Sequence, residues 1–350
     1  MKILLCLPAL FGLLAANIAS AATLLVGNKS EASVSMIDLD SGIEVARVAT
    51  EVGPHEVAVS SDGRLAVVTN YGTGPQPGNT LSVIEVEAGK AVRLIDLGKY
   101  TRPHGILFLP DTNKVLVTAE GARALLLVDV SSGEIEKAVA SGQDVSHMVA
   151  FNPATGMAYV ANIGPGTVSV IDVRAGELLG VHPSGQGAEG IALADGGKRL
   201  WVTNRADDTA AVFTTGEFAK QEVLAVSGFP IRAEILPAQE GVPEKVLVTS
   251  ARSGELSIID PVALKVEKTV DLGLALQGAA DGLFADQFGE SSIPIGIEVE
   301  PGSRRVWIAH AGADAVQELE VGSWRQLRLL KTGREPDAMG YSHRSVVAAQ

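Results

Sequence analysis

The feature that constrains this chain most is a short apolar run that recurs seven times along its 350 residues. The copies lie about 40 to 60 residues apart, which is the length of one supersecondary unit in a repeat protein. The chain is therefore predicted to repeat one structural unit seven times. The copies are LVGN ending at Asn28, VVTN at Asn70, LVTA at Ala119, YVAN at Asn162, WVTN at Asn204, LVTS at Ser250 and WIAH at His310.

Each unit contains four strand-like runs. The recurring run is followed by one that ends in an acid in most copies, such as VSMID or VSVID, then by a turn such as LDSG, and then by a third run. A fourth run opens just after GPHE, RPHG, VSHM, GAEG, FPIR, IPIG and EPDA. Valine, isoleucine, leucine and threonine fill the runs, while Gly, Asp, Asn and Pro separate them. Four short strands in each of seven units predict an all-β fold, a seven-bladed β-propeller of four-stranded antiparallel blades.

The two ends of the repeat array predict how the ring closes. The first unit begins with ATLLVGN and lacks a fourth run of its own, whereas the last copy, EPDAMGYSH, supplies only that run. We expect the two to pair in one blade, because a closed ring leaves no unpaired sheet edge. The expected organisation is a single propeller domain over residues 22–345, followed by a tail over 346–350.

The segment before the first repeat is predicted to be a signal peptide over residues 1–21. It carries one lysine, an apolar run and the small-residue site Ala19-Ser20-Ala21. The single cysteine, Cys6, lies inside it, so the processed chain is expected to have no disulfide and no thiolate ligand. No later run reaches the roughly 18 apolar residues of a membrane span. A net charge of −13 disfavours nucleic acid and anionic lipid as partners, so a periplasmic or secreted protein is expected.

The repeated VVTN, YVAN and WVTN runs, together with the SVID runs, resemble the YVTN family of seven-bladed β-propellers over essentially residues 23–343. That resemblance implies the propeller fold, in a family that includes surface proteins and relatives of quinoprotein dehydrogenase subunits. A looser similarity to propeller lactonases of the 6-phosphogluconolactonase and carboxymuconate-cyclase type is carried by VTNYGTG at 68–74 and RPHG at 102–105. This second resemblance implies His, Arg and Glu side chains at the mouth of the channel.

Candidate functional residues share one register of the repeat. In a propeller blade the innermost strand starts at the face where the second strand ends, and that face is the entrance to the axial channel. Three of the six histidines occupy the same innermost-strand position on adjacent blades. The innermost-strand residues are His55, His104, His147, Glu189, Ile231 followed by Arg232, Ile295 and Asp337. The second-strand ends add Asn70, Tyr71, Glu120, Asn162, Asn204, Arg205, Arg252 and His310 to that face.

Three interpretations of the histidine register are open at this point. The histidines can hold the turn before the innermost strand. They can also line a site for a small anionic molecule, since a concave mouth with a few convergent polar groups is typical of ligand sites. Thirdly, His55, His104 and His147 can bind a divalent metal with Glu189, because imidazole and carboxylate suit zinc, copper or iron.

Two functional classes follow from these interpretations. The first is a binding module that presents its entrance to a small anionic molecule or to a periplasmic partner protein. The second is a lactonase or cycloisomerase acting on a carboxylated sugar or lactone. In it His104 or His147 is the general acid or base, Glu189 assists, and Arg232 holds a substrate carboxylate. Two long insertions, at 72–79 and 274–292, are expected at the same face, and the second is expected to be a mobile cover.

Overall fold

The computed structural model describes residues 22–226, 228–274, 288–289 and 291–347. These residues form 28 strands in seven four-stranded antiparallel sheets, each of which is one blade. The predicted seven-bladed propeller is confirmed. The predicted signal peptide and most of the predicted cover lie outside the described residues.

Every blade has an innermost, a second, a third and an outer strand. The innermost strands are β4 (Pro54–Val59), β8 (Pro103–Phe108), β12 (Ser146–Asn152), β16 (Ala188–Ala194), β20 (Pro230–Leu236), β24 (Pro294–Val299) and β28 (Pro336–Ser342). The second strands are β1 (Thr23–Asn28), β5 (Leu65–Gly72), β9 (Lys114–Ala119), β13 (Met157–Asn162), β17 (Arg199–Asn204), β21 (Lys245–Ser250) and β25 (Arg305–His310).

The third and outer strands complete the blades, and among the described residues two single-turn 3-10 helices, Glu120–Ala122 and Asp195–Gly197, lie between strands. The third strands are β2 (Ser33–Asp38), β6 (Pro77–Glu85), β10 (Ala124–Asp129), β14 (Thr167–Asp172), β18 (Thr209–Thr214), β22 (Glu255–Asp260) and β26 (Ala315–Glu320). The outer strands are β3 (Ile43–Ala49), β7 (Lys90–Asp96), β11 (Ile135–Ala140), β15 (Glu177–Pro183), β19 (Ala219–Ala225), β23 (Lys265–Asp271) and β27 (Gln326–Lys331). The described part of the chain contains no helix with the length and apolar character to cross a membrane.

The ring closes as the sequence predicts. Strand β1 pairs with β2 on one side and with β28 on the other, both antiparallel, so that Val26 faces Met339 across the junction of the chain ends. This sheet, β28-β1-β2-β3, is blade 1, and β4–β7 through β24–β27 are blades 2 to 7. The innermost strands of blades 1 and 2 are neighbours, as are those of blades 7 and 1. Residues far apart in sequence can therefore meet at the axis.

A β-bulge recurs near the start of the innermost strands. In blade 2 the pairing of β4 with β5 shifts between Pro54 and Val57, and equivalent shifts occur in the other six blades. A threonine on the second strand binds the bulged backbone: the Thr69 hydroxyl accepts a hydrogen bond of 2.9 Å from the Glu56 N–H. Bulges redirect side chains. Here the bulged segment contains the second residue of each innermost strand, which is the position singled out by the sequence register.

Glycine at the third position lets neighbouring innermost strands approach each other. A Cβ atom on Gly105 would lie 2.5 Å from the carbonyl oxygen of His147 in the next blade. A Cβ on Gly296 would lie 2.1 Å from the carbonyl oxygen of Asp337. Such contacts are shorter than any real side chain makes, so glycine at these positions is required by packing between blades.

We expect Gly296→Ala to destabilise the ring where blade 7 meets blade 1. The clash with the Asp337 carbonyl requires a backbone shift, which costs about 1–3 kcal/mol in a packed interior. The measurement is the free energy of unfolding in urea. Gly216→Ala is the matched control, because no atom lies within 4 Å of a Cβ built there. Equal stability of the two variants would contradict the packing role.

Candidate functional site

The second residues of all seven innermost strands line one cavity at the entrance of the axial channel, with a volume of about 250 Å³. A further set of lining residues comes from the ends of the second strands in blades 1 to 5, so a second, partial ring of side chains lies beside the first. The first ring is His55, His104, His147, Glu189, Ile231, Ile295 and Asp337, and the second contributes Lys29, Tyr71, Glu120, Ile163 and Arg205. Val145, Arg232 and Phe288 complete the described lining.

His104 is the central member of three imidazoles in contact. Its ring centroid lies 3.9 Å from that of His55 and 3.5 Å from that of His147. It is 1% exposed, and neither of its ring nitrogens has a hydrogen-bond partner among the described residues. Burial, and then the neighbouring His147 cation, hold the pKa of His104 well below its ordinary value. At neutral pH His104 is therefore a neutral imidazole with a free lone pair.

His147 has the opposite protonation state. Burial alone lowers its pKa, but Glu120 Oε1 lies 2.5 Å from Nδ1 and Glu189 Oε1 lies 3.3 Å from Nε2. The two carboxylates outweigh burial and raise the pKa of His147 to about 9. Glu120 is oriented in turn by the Tyr71 hydroxyl, which donates to its Oε2 at 2.6 Å. His147 is therefore an imidazolium at neutral pH.

Ion pairs surround these imidazoles. Lys29 Nζ lies 3.0 Å from Asp337 Oδ2, and Arg205 contacts Glu189 at 2.6 Å. His55 lies beside the first pair, with Nε2 2.7 Å from Lys29 Nζ and Nδ1 3.1 Å from Asp337 Oδ2. Although burial raises the pKa of Asp337, the nearby His55 and Lys29 outweigh it, so this pKa is about 2. Asp337 is therefore a carboxylate that can balance the lysine.

Arg232 forms contacts across the axis of the ring. Its guanidinium crosses from blade 6 to blade 2, where Nη2 donates to Glu56 Oε1 at 2.6 Å, and Nη1 lies 2.7 Å from Met148 Sδ of blade 4. Glu56 is itself 7% exposed and Arg232 is 7% exposed. Arg232 reaches the cavity as expected, but it is engaged by a carboxylate of the protein.

Five predicted ligand-binding residues are absent from the described lining of the cavity. Asn70, Asn162 and Asn204 are fully buried, and each amide donates to a hydroxyl of the third strand, as Asn70 does to Thr80 and Ser82 at 3.0 Å. A buried amide must satisfy its donors, and the neighbouring Thr and Ser hydroxyls are the nearest acceptors. The recurring asparagine of the repeat therefore ties the second strand to the third.

The other two lie apart from the cavity for different reasons. His310 is buried within blade 7, where Nδ1 lies 2.8 Å from Ser292 Oγ and Nε2 3.2 Å from Gln317 Oε1. Arg252 places its guanidinium 4.2 Å from the Phe229 ring centroid. Both belong to the entrance side of their blades, but each is held by neighbours other than the lining residues.

Sequence reasoning missed several residues that shape the cavity. Lys29 follows Asn28 in the register that holds Tyr71 and Arg205, so the repeat itself could have identified it. Glu56, the partner of Arg232, lies across the axis, and no local pattern points to that contact. Phe288, in contrast, belongs to the 274–292 insertion, whose apolar residues are expected from the sequence at this face.

Two overlapping groups of lining and neighbouring residues have ligand atoms close enough to hold a metal ion. In His55, Glu56 and His104, and again in His104, Glu120 and His147, the ligand atoms all lie within 4.8 Å of one another. His104 can supply the lone pair of one ring nitrogen to either group, whereas Glu56, Glu120 and His147 already form ion pairs. A divalent metal at the channel mouth stays a prediction.

This chain is similar in fold to several solved structures. No protein-family model and no curated protein match the chain. Among solved structures it is similar to dihydro-heme d1 dehydrogenase NirN in complex with DHE, with 15% identity, a TM-score of 0.62, and coverage of 91% of this chain and 74% of that one. It is also similar to the periplasmic gluconolactonase PpgL of Pseudomonas aeruginosa, with 16% identity, a TM-score of 0.69, and coverage of 92% and 99%.

A functionally unknown protein from Desulfotomaculum acetoxidans DSM 771 has 15% identity and a TM-score of 0.73, with coverage of 92% of this chain and 99% of that one. Identities this low establish the fold alone. The narrower YVTN assignment therefore stays a prediction from the repeat.

We expect Glu120→Gln to lower the pKa of His147 and to change how stability depends on pH. Because the folded pKa of His147, about 9, exceeds its ordinary 6.5, its stabilising contribution is complete below pH 6.5 and is lost as pH rises through 9. The shift corresponds to on the order of 3 kcal/mol. Titration of labelled histidines by NMR, with unfolding at pH 6.5 and 9.5, measures both effects. Glu134→Gln, which alters an exposed acid, is the control; an unchanged His147 pKa in Glu120→Gln would refute the assignment.

The metal prediction requires that the purified protein bind one equivalent of Zn²⁺ and lose it to a chelator. His104→Gln should abolish that binding, since His104 belongs to both candidate groups. His343→Gln, at an exposed position, should leave it intact. Equilibrium dialysis with elemental analysis provides the measurement, and zinc binding that survives in His104→Gln would place any metal elsewhere.

Proposed function

We propose that this chain is an exported hydrolase that opens the ring of a small lactone at the channel mouth. One observation carries the proposal: the ring centroids of His104 and His147 are 3.5 Å apart beside the same cavity, and their surroundings favour a neutral His104 and a protonated His147. Two neighbouring titratable groups whose environments drive their pKa values apart can serve as a general base and a general acid. The likeness to a periplasmic gluconolactonase agrees with both the reaction and the export.

His104 is proposed as the general base. The neighbouring imidazoles cover it on both sides, while its two ring nitrogens have no partner in the described part of the chain. A ring nitrogen of His104 would take a proton from the water that attacks the lactone carbonyl carbon.

His147 is proposed as the general acid. After the tetrahedral intermediate forms, the ester C–O bond of the ring breaks, and the leaving alkoxide takes the proton from His147 Nε2. That nitrogen has the longer of the two carboxylate contacts, 3.3 Å to Glu189, and is the less tightly held. The product is the open hydroxy acid, and the proton on His104 returns to His147 or to solvent.

The remaining polar residues are proposed to position this pair. Glu120 and Glu189 keep His147 protonated and fix its ring, and Tyr71 orients Glu120. Lys29 and Asp337 hold His55 against the other side of His104. None of these five positioning residues needs to contact the substrate to exert its effect.

An interaction module without turnover is the second candidate, and the rim of the entrance favours it. Arg102 stacks over Tyr71, and Arg205 and Arg252 flank Phe229, with guanidinium-to-centroid distances of 4.2 to 5.2 Å. Guanidinium groups stacked on rings suit an acidic segment of a periplasmic partner protein.

The proposed reaction predicts a plateau-shaped pH profile. Activity requires neutral His104 and protonated His147, so kcat/KM should fall as pH rises through about 9 and should fall on the acid side only well below pH 6.5. Hydrolysis is followed with a pH indicator, after subtraction of the spontaneous rate, on glucono-1,5-lactone and dihydrocoumarin. His104→Gln and His147→Gln should each lower kcat by about 100-fold or more.

His343→Gln serves as the matched histidine control and should keep full activity. Zinc chelation should leave the rate unchanged if acid–base catalysis by these imidazoles is sufficient. The proposed function is contradicted if neither lactone is hydrolysed, or if His104→Gln keeps full activity.

A further inference from the structure

The wall of the cavity is divided into a polar and an apolar part. The charged and hydrogen-bonding residues of the two rings come from blades 1 to 5, whereas blades 6 and 7 contribute Ile231 and Ile295. The one charged lining residue described on blades 6 and 7 is Arg232, and its guanidinium is bonded to Glu56 of blade 2. These isoleucines are 5% and 2% exposed, and they belong to one apolar cluster with Phe288. Phe229 packs edge-on against Phe288 at 5.3 Å, which extends this surface toward the rim. A bound molecule therefore meets hydrocarbon on one side and the imidazoles on the other.

The charges of the polar part are already balanced within the protein. Each cationic residue of the described lining contacts a carboxylate: Lys29 with Asp337, Arg205 with Glu189, and Arg232 with Glu56. His147 is balanced in the same way by Glu120. A carboxylate or phosphate on a ligand would add a negative charge to this balanced set of ion pairs without a cation of its own, which is costly at low dielectric.

From these two observations we infer that the substrate is an uncharged lactone with a hydrocarbon face, such as an aryl-fused or alkyl-substituted ring, and not a sugar lactone or a carboxylated one. The inference rests on the proposed function and names its substrate class. It departs from the carboxylated substrate expected from the sequence, because Arg232, the expected clamp, is bonded to Glu56.

Desolvation explains the discrimination against a sugar ring. A sugar lactone carries hydroxyl groups around its ring, so one edge would place hydroxyls against Ile231, Ile295 and Phe288, whose hydrocarbon side chains offer no hydrogen bond. Burying an unpaired hydroxyl is unfavourable. A ring with a hydrocarbon edge instead gains by covering the same surface, while its carbonyl group faces His104 and His147.

The test compares kcat/KM for dihydrocoumarin, glucono-1,5-lactone and the carboxylated muconolactone. We expect dihydrocoumarin to exceed both others by at least about tenfold, the discrimination that one misplaced group produces in such a site. Ile295→Thr, which keeps the branched shape and adds one hydroxyl, should lower the dihydrocoumarin value several-fold and leave the glucono-lactone value nearly unchanged. Ile43→Thr, on an exposed outer strand, is the matched control.

Ile231→Thr is the second variant, should Ile295→Thr fail to fold, and melting curves verify the fold of each. Preference for the sugar lactone or for muconolactone would overturn the inference while leaving the proposed hydrolase intact. If no lactone is turned over, calorimetric binding of dihydrocoumarin decides. Binding that Ile295→Thr weakens upholds the apolar preference without the hydrolase, and absence of binding refutes both.

Discussion

The site depends on the β-bulge that opens each innermost strand. A regular strand at the inner edge of a blade would alternate its side chains between the two neighbouring blades. The bulge, tied by a second-strand threonine such as Thr69, breaks this alternation near the second residue, and all seven second residues line the axial cavity. In blades 3, 5 and 7 a glycine follows the second residue, and Gly105 and Gly296 let their strands come close to the neighbouring innermost strand. One backbone irregularity, repeated by every blade, thus converts a structural array into a convergent site.

Bringing three imidazoles together at the axis would be unfavourable if each carried a positive charge. The surrounding ion pairs determine which of them is charged. Three imidazoles in contact cannot all be protonated. Glu120 and Glu189 concentrate the positive charge on His147, and burial together with that charge keeps His104 neutral. The difference in protonation between two chemically identical side chains therefore comes from the carboxylates that contact each ring: Glu120 of blade 3 and Glu189 of blade 5 both contact His147 of blade 4.

The sequence predicts the fold and one layer of the site because both follow from the repeat. Seven copies give the blades, and the innermost-strand register alone brings His55, His104, His147, Glu189 and Asp337 to one position. It does not predict that Arg232 pairs with Glu56, because that contact joins blades four apart along the chain and no local pattern encodes it. It also misjudges Asn70, since the end of a strand does not reveal whether an amide faces the channel or the neighbouring strand. The repeat in the sequence gives the position of each residue in its blade, but the partner of a side chain depends on how the blades pack in the ring.

The candidate site depends on the positions at which the seven blades carry different residues. A channel built from seven identical blades would have the same residue at each position and hence no distinct acid, base or apolar wall. Here blades 2 to 4 supply imidazoles, blades 1 and 5 supply carboxylates, and blades 6 and 7 supply Ile231 and Ile295. The ring nitrogens of His104, which have no hydrogen-bond partner among the residues that the structure describes, are the clearest mark of function, because an imidazole buried without a partner is unfavourable and a bound ligand would satisfy it. The closed ring supplies the rigidity that can hold such an unfavourable group in position.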